Sequence, residues 1–206
     1  MEDSDLGLHA AILAAGAGTR FGDIKQLVRL RGEPVLHLLV ANAAFVTGQS
    51  VSVVLGAHAQ VIAASLRQRA VTIAINRGWE EGIASSIRTA VQSAPPASAA
   101  LLLMLADQVA VTADDLRRLH ASWRRHPVLI AAALYGGAPG LPAIFPRWAF
   151  NDLLALRGDR DPRAVLRKSI DRVVRVPMVN AGIDLDTPED FLQLEVAPAA
   201  GNTPDP

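Results

Sequence analysis

The sequence predicts a three-layer α/β/α sandwich, with a mostly parallel, Rossmann-like sheet covered by helices on both faces. Three observations carry that prediction. Short β-branched or apolar runs alternate with helix-length segments, the pattern of parallel strands joined by helical crossovers. The runs are apolar at successive positions, as strands are when both faces of a sheet are buried. The chain has 206 residues, 50% of them hydrophobic and 19% charged, which fits one domain with a large core.

Taken in order, residues 9–15 form a short apolar run ending in Gly16-Ala17-Gly18, which predicts a buried strand feeding a loop. Pro34 then opens a helical pattern that extends through Thr47. Further strands are expected at Val51 to Leu55, Val71 to Ile75 and Leu101 to Leu105, with helices near 58–69 and 82–92. The second half is less regular. It predicts a helix near 112–125, a strand near 128–134, a loop from Tyr135 to Gly140 and a run from Pro142 to Phe145. Helical stretches over 147–156 and 161–169 follow, then a strand near 172–176. Thr187, Pro188 and Asp190 suit the N-cap, the first position and a capping-box-like acid of a terminal helix. Residues 1–8 and 197–206 have little to bury and are expected to be flexible. No internal repeat is visible.

Composition excludes several functions. The 20 Lys+Arg balance 20 Asp+Glu, so no general basic field collects nucleic acid or anionic lipid. An anionic ligand must be held locally. The absence of cysteine removes disulfides, iron–sulfur clusters, zinc-thiolate sites and thiol nucleophiles. Pro34 to Leu66 contains no Asp, Glu, Lys or Arg, yet Thr47 to Ser50 and Gly56 break it into helix, strand and helix rather than one membrane span. The start Met-Glu-Asp-Ser-Asp is acidic where a signal peptide is basic, so a cytoplasmic protein is expected.

Parallel sheets bind ligands beyond the carboxyl ends of their strands, and four constellations fall there. In Leu13-Ala-Ala-Gly16-Ala-Gly18-Thr-Arg20-Phe-Gly22-Asp-Ile-Lys25, glycines let backbone N–H groups approach an anion. Lys25 is one of only two lysines against eighteen arginines, which suits a site that wants a compact point charge. Lys25 lacks the neighbours of a Walker A loop, and no ribose-binding acid follows Leu55, which counts against a dinucleotide fold. Asp107 directly follows the apolar run Leu101 to Ala106, and a hard oxygen ligand there suits Mg2+; a turn-forming Asp is the plain alternative. Asp184 and Asp186 share a face if their segment is extended, or else open a helix. Asn76 to Arg88 places serines and glycines at a helix opening, where they could cap the helix or read a base or ribose. The five histidines show no metal-ligand spacing, and no Gly-x-Ser-x-Gly elbow is present.

Together, Leu13-Ala-Ala-Gly-x-Gly-Thr-Arg-Phe-Gly-x-x-Lys25, Asp107 and Asp184-x-Asp-Thr-Pro-Glu-Asp190 resemble the nucleotidyltransferase superfamily with a MobA-like fold, over roughly Ala11 to Leu194. The molybdenum cofactor cytidylyltransferases are the closer match. Their pattern is similar to Asn76-x-x-Trp79-x-x-Gly82-x-x-Ser85-Ser86-x-Arg88, Ala106-Asp107-Gln108, Gly140-x-Pro142-Ala-Ile-Phe145 and Leu156-Arg-Gly158-Asp159-Arg160.

The resemblance implies a nucleotide-diphospho-sugar transferase type of fold in one domain over 9–196, with a nucleotide half near 9–110 and an acceptor half near 111–196. It implies nucleotide contacts from Leu13, Ala14, Ala15, Gly16, Gly18, Asn76, Gly82 and Ser86, with Arg20 and Lys25 on the triphosphate. Asp107 with Asp184 or Asp186 would carry Mg2+, or Mn2+ in its place, and Arg20, Lys25 and Asp107 would be catalytic. Gly140, Pro142 and Asp159 would meet the acceptor. The expected partners are CTP and a phosphorylated small molecule, molybdopterin foremost, with a molybdoenzyme or chaperone as a further partner. Val109, Leu141 and Asp161-Pro162 depart from the family pattern, all on the acceptor side, so the implied acceptor is less secure than the implied transfer. Two other classes remain open, a non-catalytic nucleotide-binding partner of a molybdoenzyme and an NADP-dependent reductase; among transferases, a guanylyl- or other NTP transferase acting on a sugar- or alcohol-phosphate is the rival.

Overall fold

The first strand, β1 (Leu8–Ala14), is buried at every position because its alternate side chains enter cores on opposite faces of the sheet. The computed structural model describes residues 7–18, 24–185 and 190. After β1 come the two-residue strands β2 (Arg29–Leu30) and β3 (Glu33–Pro34), then α1 (Val35–Thr47), β4 (Val51–Leu55), α2 (Ala59–Ser65), β5 (Thr72–Ile75), α3 (Ile83–Ser93) and β6 (Ala100–Leu105). The second half supplies α4 (Ala113–Arg125), β7 (Ile130–Tyr135), β8 (Ala138–Pro146), α5 (Phe150–Leu154), α6 (Arg163–Lys168) and β9 (Val173–Pro177).

Seven strands form one sheet in the order β5-β4-β1-β6-β8-β7-β9, and only β8 runs antiparallel to its neighbours. The sheet passes without a break through both halves of the chain. One core lies between the sheet and α1, α2 and α4, where Leu36, Leu39, Ile62, Leu116 and Trp123 meet Ile12, Val53 and Leu102. The other lies under α3, α5 and α6, where Ile87, Leu153 and Leu166 meet Leu13, Val54 and Leu103. Such two-sided burial explains why the central strands read as unbroken apolar runs. No helix among the described residues is long and apolar enough to cross a membrane.

Several details depart from the sequence reading. The β2–β3 hairpin before α1 was not expected; each strand is only two residues long, too short for a periodic signal. The helix expected near 58–69 ends at Ser65, whose hydroxyl donates back to the Ile62 carbonyl at 2.7 Å while the Leu66 amide tightens onto Ala63. The loop from Tyr135 to Gly140 is largely strand. Gly136 and Gly137, at φ +57° and +78°, make a two-residue hairpin turn that other residues enter only at a cost. Pro142 lies inside β8, where the register against β7 shifts between Ala132 and Ala133, leaving the cis Leu141–Pro142 pair in an irregularity that needs no ladder N–H from proline. The stretch 147–156 resolves into a 3-10 turn, Arg147–Ala149, followed by the five-residue α5. The terminal helix expected from Thr187 and Pro188 lies outside the described residues.

Candidate active site

β1, β4, β5, β6, β7 and β9 point the same way, so their carboxyl ends line one edge of the sheet. A cleft of about 430 Å³ opens there between the ends of β1 and β6 and the start of α3. Its walls are Leu13, Ala14, Ala15, Gly16 and Gly18 after β1, Lys25 and Gln26, then Gly82 and Ser86 at α3, and Asp107 after β6. Nine of the expected nucleotide contacts therefore come together from four separate stretches of sequence: Leu13, Ala14, Ala15, Gly16, Gly18, Lys25, Gly82, Ser86 and Asp107.

The loop after β1 is held from below. Gln26, 2% exposed, donates its amide to the carbonyls of Gly16 (3.1 Å) and Ala14 (3.4 Å), fixing the backbone that lines the cleft. Next to it, Lys25 Nζ donates to Asp107 Oδ2 at 3.2 Å and to the Leu185 carbonyl at 3.3 Å. Asp107 Oδ1 is buried and has no hydrogen-bond partner among the described residues. A buried carboxylate oxygen left that way is costly, and a divalent cation is one group that would satisfy it. The residues fit Mg2+ or Mn2+ on that account. Among the described residues no cluster of three or more acids or histidines could hold a metal.

Asp184 is exposed, on a segment tied to the site because the Leu185 amide donates to the Asp107 carbonyl at 2.9 Å. That segment is anchored twice more. Gln108, 1% exposed, donates to the carbonyls of Ala181 (2.8 Å) and Leu141 (2.7 Å), joining the end of β6 to β8 and to the 3-10 turn Val179–Gly182. Asn180 Nδ2 donates at 2.8 Å to buried Asp115, which also closes the capping box of α4 with Thr112. Burial alone pushes the Asp115 carboxyl up, but hydrogen bonds from Asn180, Thr112 and Arg118 outweigh it and hold it below the ordinary carboxylate range. Arg20 and Asp186 lie outside the described residues.

Asn76 is placed differently from the other nucleotide candidates. Its side chain is buried beneath the cleft, donates to Ser85 Oγ (2.8 Å) and Ser86 Oγ (3.0 Å), and accepts from the Gly78 amide. It shapes the wall and does not line it. Trp79, quoted in the sequence motif but given no role there, lines the cleft together with Glu80 and Ile83, which the sequence reading does not single out. Trp79 packs flush on Gly56, where an added Cβ would fall 2.5 Å from the indole Cβ. The available signal was their place inside the Asn76–Arg88 motif.

Two motifs separated by some 70 residues join at this wall. Glu81 accepts from Arg88 and from the Gly158 amide (3.2 Å), Arg88 Nη1 also reaches the Leu156 carbonyl (2.9 Å), and the Ala84 amide donates to the Gly158 carbonyl (3.0 Å). The bond from Arg88, seconded by that from Gly158, holds the Glu81 carboxyl below its usual range. Gly82, at φ +117°, sits so close that a Cβ would fall 2.4 Å from Asp159 Oδ1. Asp159 thus borders the nucleotide wall. Gly140 and Pro142 are both buried in β8, the strand next to β6, and Gly140 packs against the ring of Tyr135 at the end of β7.

A glycine loop after the first parallel strand, a lysine beside it and an acid after the central strand define an α/β protein whose cleft is suited to a phosphate-bearing ligand. The chain belongs to the family of the MobA-like NTP transferase domain, whose sequence model matches residues 10–173. Nicotine blue oxidoreductase from Paenarthrobacter nicotinovorans is 34% identical to it over 94% of this chain and all of that protein. Among solved structures, Rv0371c from Mycobacterium tuberculosis H37Rv superposes with a TM-score of 0.81 at 25% identity, covering 94% of this chain and 100% of that one. A manganese complex of Rv0371c gives a TM-score of 0.74 at 24% identity, over 92% and 98% of the two chains. The molybdopterin-guanine dinucleotide biosynthesis protein A of Archaeoglobus fulgidus shares the fold, with a TM-score of 0.70 at 18% identity over 91% and 96%.

Proposed function

We propose that this protein transfers a nucleoside monophosphate from an NTP, CTP foremost, to a phosphate-bearing acceptor, molybdopterin foremost, releasing pyrophosphate. The observation that carries the reading is the Lys25–Asp107 pair, with its unpartnered carboxylate oxygen, facing the cleft beside the β1 loop. Family membership supports it, as does the name of the A. fulgidus protein for the acceptor class.

An acceptor phosphate oxygen attacks the α-phosphorus in line, the bond from that phosphorus to the bridging oxygen breaks, and pyrophosphate leaves with the electron pair. A phosphate nucleophile is already ionised at neutral pH, so no side chain needs to remove a proton. Backbone groups of Ala14, Ala15 and Gly16 hold the nucleotide against the sheet edge, while Lys25 offsets charge on the phosphates. Arg20 is assigned to the same phosphates. Asp107, with Asp184 or Asp186, would hold a divalent cation, which when bound supplies Lewis-acid stabilisation of the phosphate oxygens. Preorganised charge and positioning account for the acceleration. The test is pyrophosphate release across the four ribonucleoside triphosphates, with and without molybdopterin. Release with CTP that requires molybdopterin is expected; no release with any pair rules the reading out.

A second reading has one observation in its favour: the 34%-identical relative is named as an oxidoreductase. In that reading the same cleft would take NADPH. Oxidation of NADPH in the presence of a dye-like acceptor, without pyrophosphate release from any NTP, would favour it.

A further inference from the structure

The residues expected to meet the acceptor, Gly140, Pro142 and Asp159, carry no positive charge, yet an acceptor that attacks through a phosphate brings at least one negative charge. Such an anion requires a cation on the acceptor side of the cleft. One is prepared at the carboxyl end of β7. Arg163 donates Nη2 to the Tyr135 hydroxyl at 3.0 Å and lies over the Tyr135 ring, 5.8 Å from its centroid. Tyr135 is itself fixed between two glycines. A Cβ on Gly140 would fall 2.5 Å from the Tyr135 hydroxyl, and one on Gly182 would fall 3.2 Å from its ring. The backbone at both positions leaves room for this ring, and the ring orients the guanidinium.

We propose that Arg163, held by Tyr135, is the anion-binding residue of the acceptor subsite and recognises a phosphate monoester. The proposal deepens the transferase reading and rests on it for the acceptor's role. One donor of the guanidinium fork is used on Tyr135, which leaves further N–H groups that can donate paired hydrogen bonds to a phosphate. The bond to Tyr135 comes first among the influences that hold Arg163 more firmly protonated; Asp161 and Asp184 add their fields. Asp184, whose charge acts on Arg163, lies on the segment that the Leu185 amide bonds to the Asp107 carbonyl, so the arginine stands beside the segment that closes the Lys25–Asp107 cleft.

The decisive experiment follows the arginine side-chain N–H signals of the full-length protein by NMR while inorganic phosphate is added, with Arg163→Lys identifying the Arg163 signal. Saturable movement of the Arg163 signal is expected. Arg172, which stacks on Trp148 at 3.7 Å but stands at the opposite end of β9, is the internal control and should stay put. Arg163→Gln, exposed and so expected to leave the melting temperature unchanged, should weaken acceptor KM about tenfold or more while CTP affinity stays within about twofold. Tyr135→Phe keeps the ring but frees the guanidinium and should fall between Arg163→Gln and wild type. An unmoved Arg163 signal, uniform movement of all exposed arginines, or a loss of CTP affinity equal to the loss for the acceptor would overturn the assignment. Absence of pyrophosphate release from the wild type would instead remove the transferase reading, since the phosphate titration involves no turnover.

Discussion

Replacing Gly82 by alanine tests whether the cleft wall at the start of α3 and the 156–160 loop are one unit. Gly82 sits at φ +117°, a conformation that side chains rarely adopt, and its new Cβ would lie 2.4 Å from Asp159 Oδ1 and 2.7 Å from the Gly158 carbonyl group. The side-chain contact can relax by rotation of Asp159. The backbone contact cannot, because Gly158 is pinned by Glu81 and by the Ala84 amide. Strain of this kind costs about 1–3 kcal/mol, and relief requires the 156–160 loop to move by several tenths of an ångström. For a chain of this length about 2 kcal/mol lowers the melting temperature by roughly 4–8 °C. Misplacement on that scale near reacting groups lowers kcat/KM by up to about a hundredfold. Differential scanning calorimetry and steady-state pyrophosphate release measure the two effects. Gly16→Ala is the control for stability, since its Cβ would meet nothing within 4 Å. A Gly82→Ala protein with wild-type melting and wild-type KM for both substrates would refute the reasoning.

Asp107→Asn keeps the size of the side chain but removes the charge facing the cleft; turnover should fall about a hundredfold or more, and metal-dependent nucleotide binding, read by calorimetry, should disappear. Asp115→Ala removes the acid half of the α4 capping box and the Asn180 anchor together, which should cost about 2 kcal/mol in urea denaturation and lower kcat more than nucleotide affinity. His9 is buried between Ser50 and Ser52, and burial lowers its pKa from 6.5 to about 4. The unfolded chain therefore binds the extra proton between those values: the stability contribution is complete above about pH 6.5 and is lost as pH falls towards about 4, by up to about 3 kcal/mol. His9→Asn should flatten that part of the pH–stability curve, and an unchanged slope would contradict the assignment.

The strands β1, β4 and β6 were legible because burial on both faces makes them continuous apolar runs, and the edge they share follows from their parallel order. Asp107 could be placed in the site from sequence alone, since the end of a central parallel strand is where such sheets meet ligands. Asn76 was read only as a possible ligand contact, because sequence cannot show where an amide points; its donors are spent on Ser85 and Ser86. The contacts that organise the site were the least visible. Gln26, Gln108 and the Glu81–Arg88 pair bridge segments 10 to 77 residues apart, and no local pattern encodes which carbonyl a buried amide will reach. Short elements failed for a related reason: β2 and β3 have two residues each, too few to show an alternating pattern.

The central claim, metal-dependent nucleotidyl transfer from the Lys25–Asp107 cleft, is tested most directly by phosphorus NMR of the wild-type protein with CTP, Mg2+ and molybdopterin. The account predicts pyrophosphate and a new diphosphate linkage in equal amounts, both abolished by chelation of the metal and by Asp107→Asn. Unchanged CTP under those conditions, or product formation that survives Asp107→Asn, would contradict it.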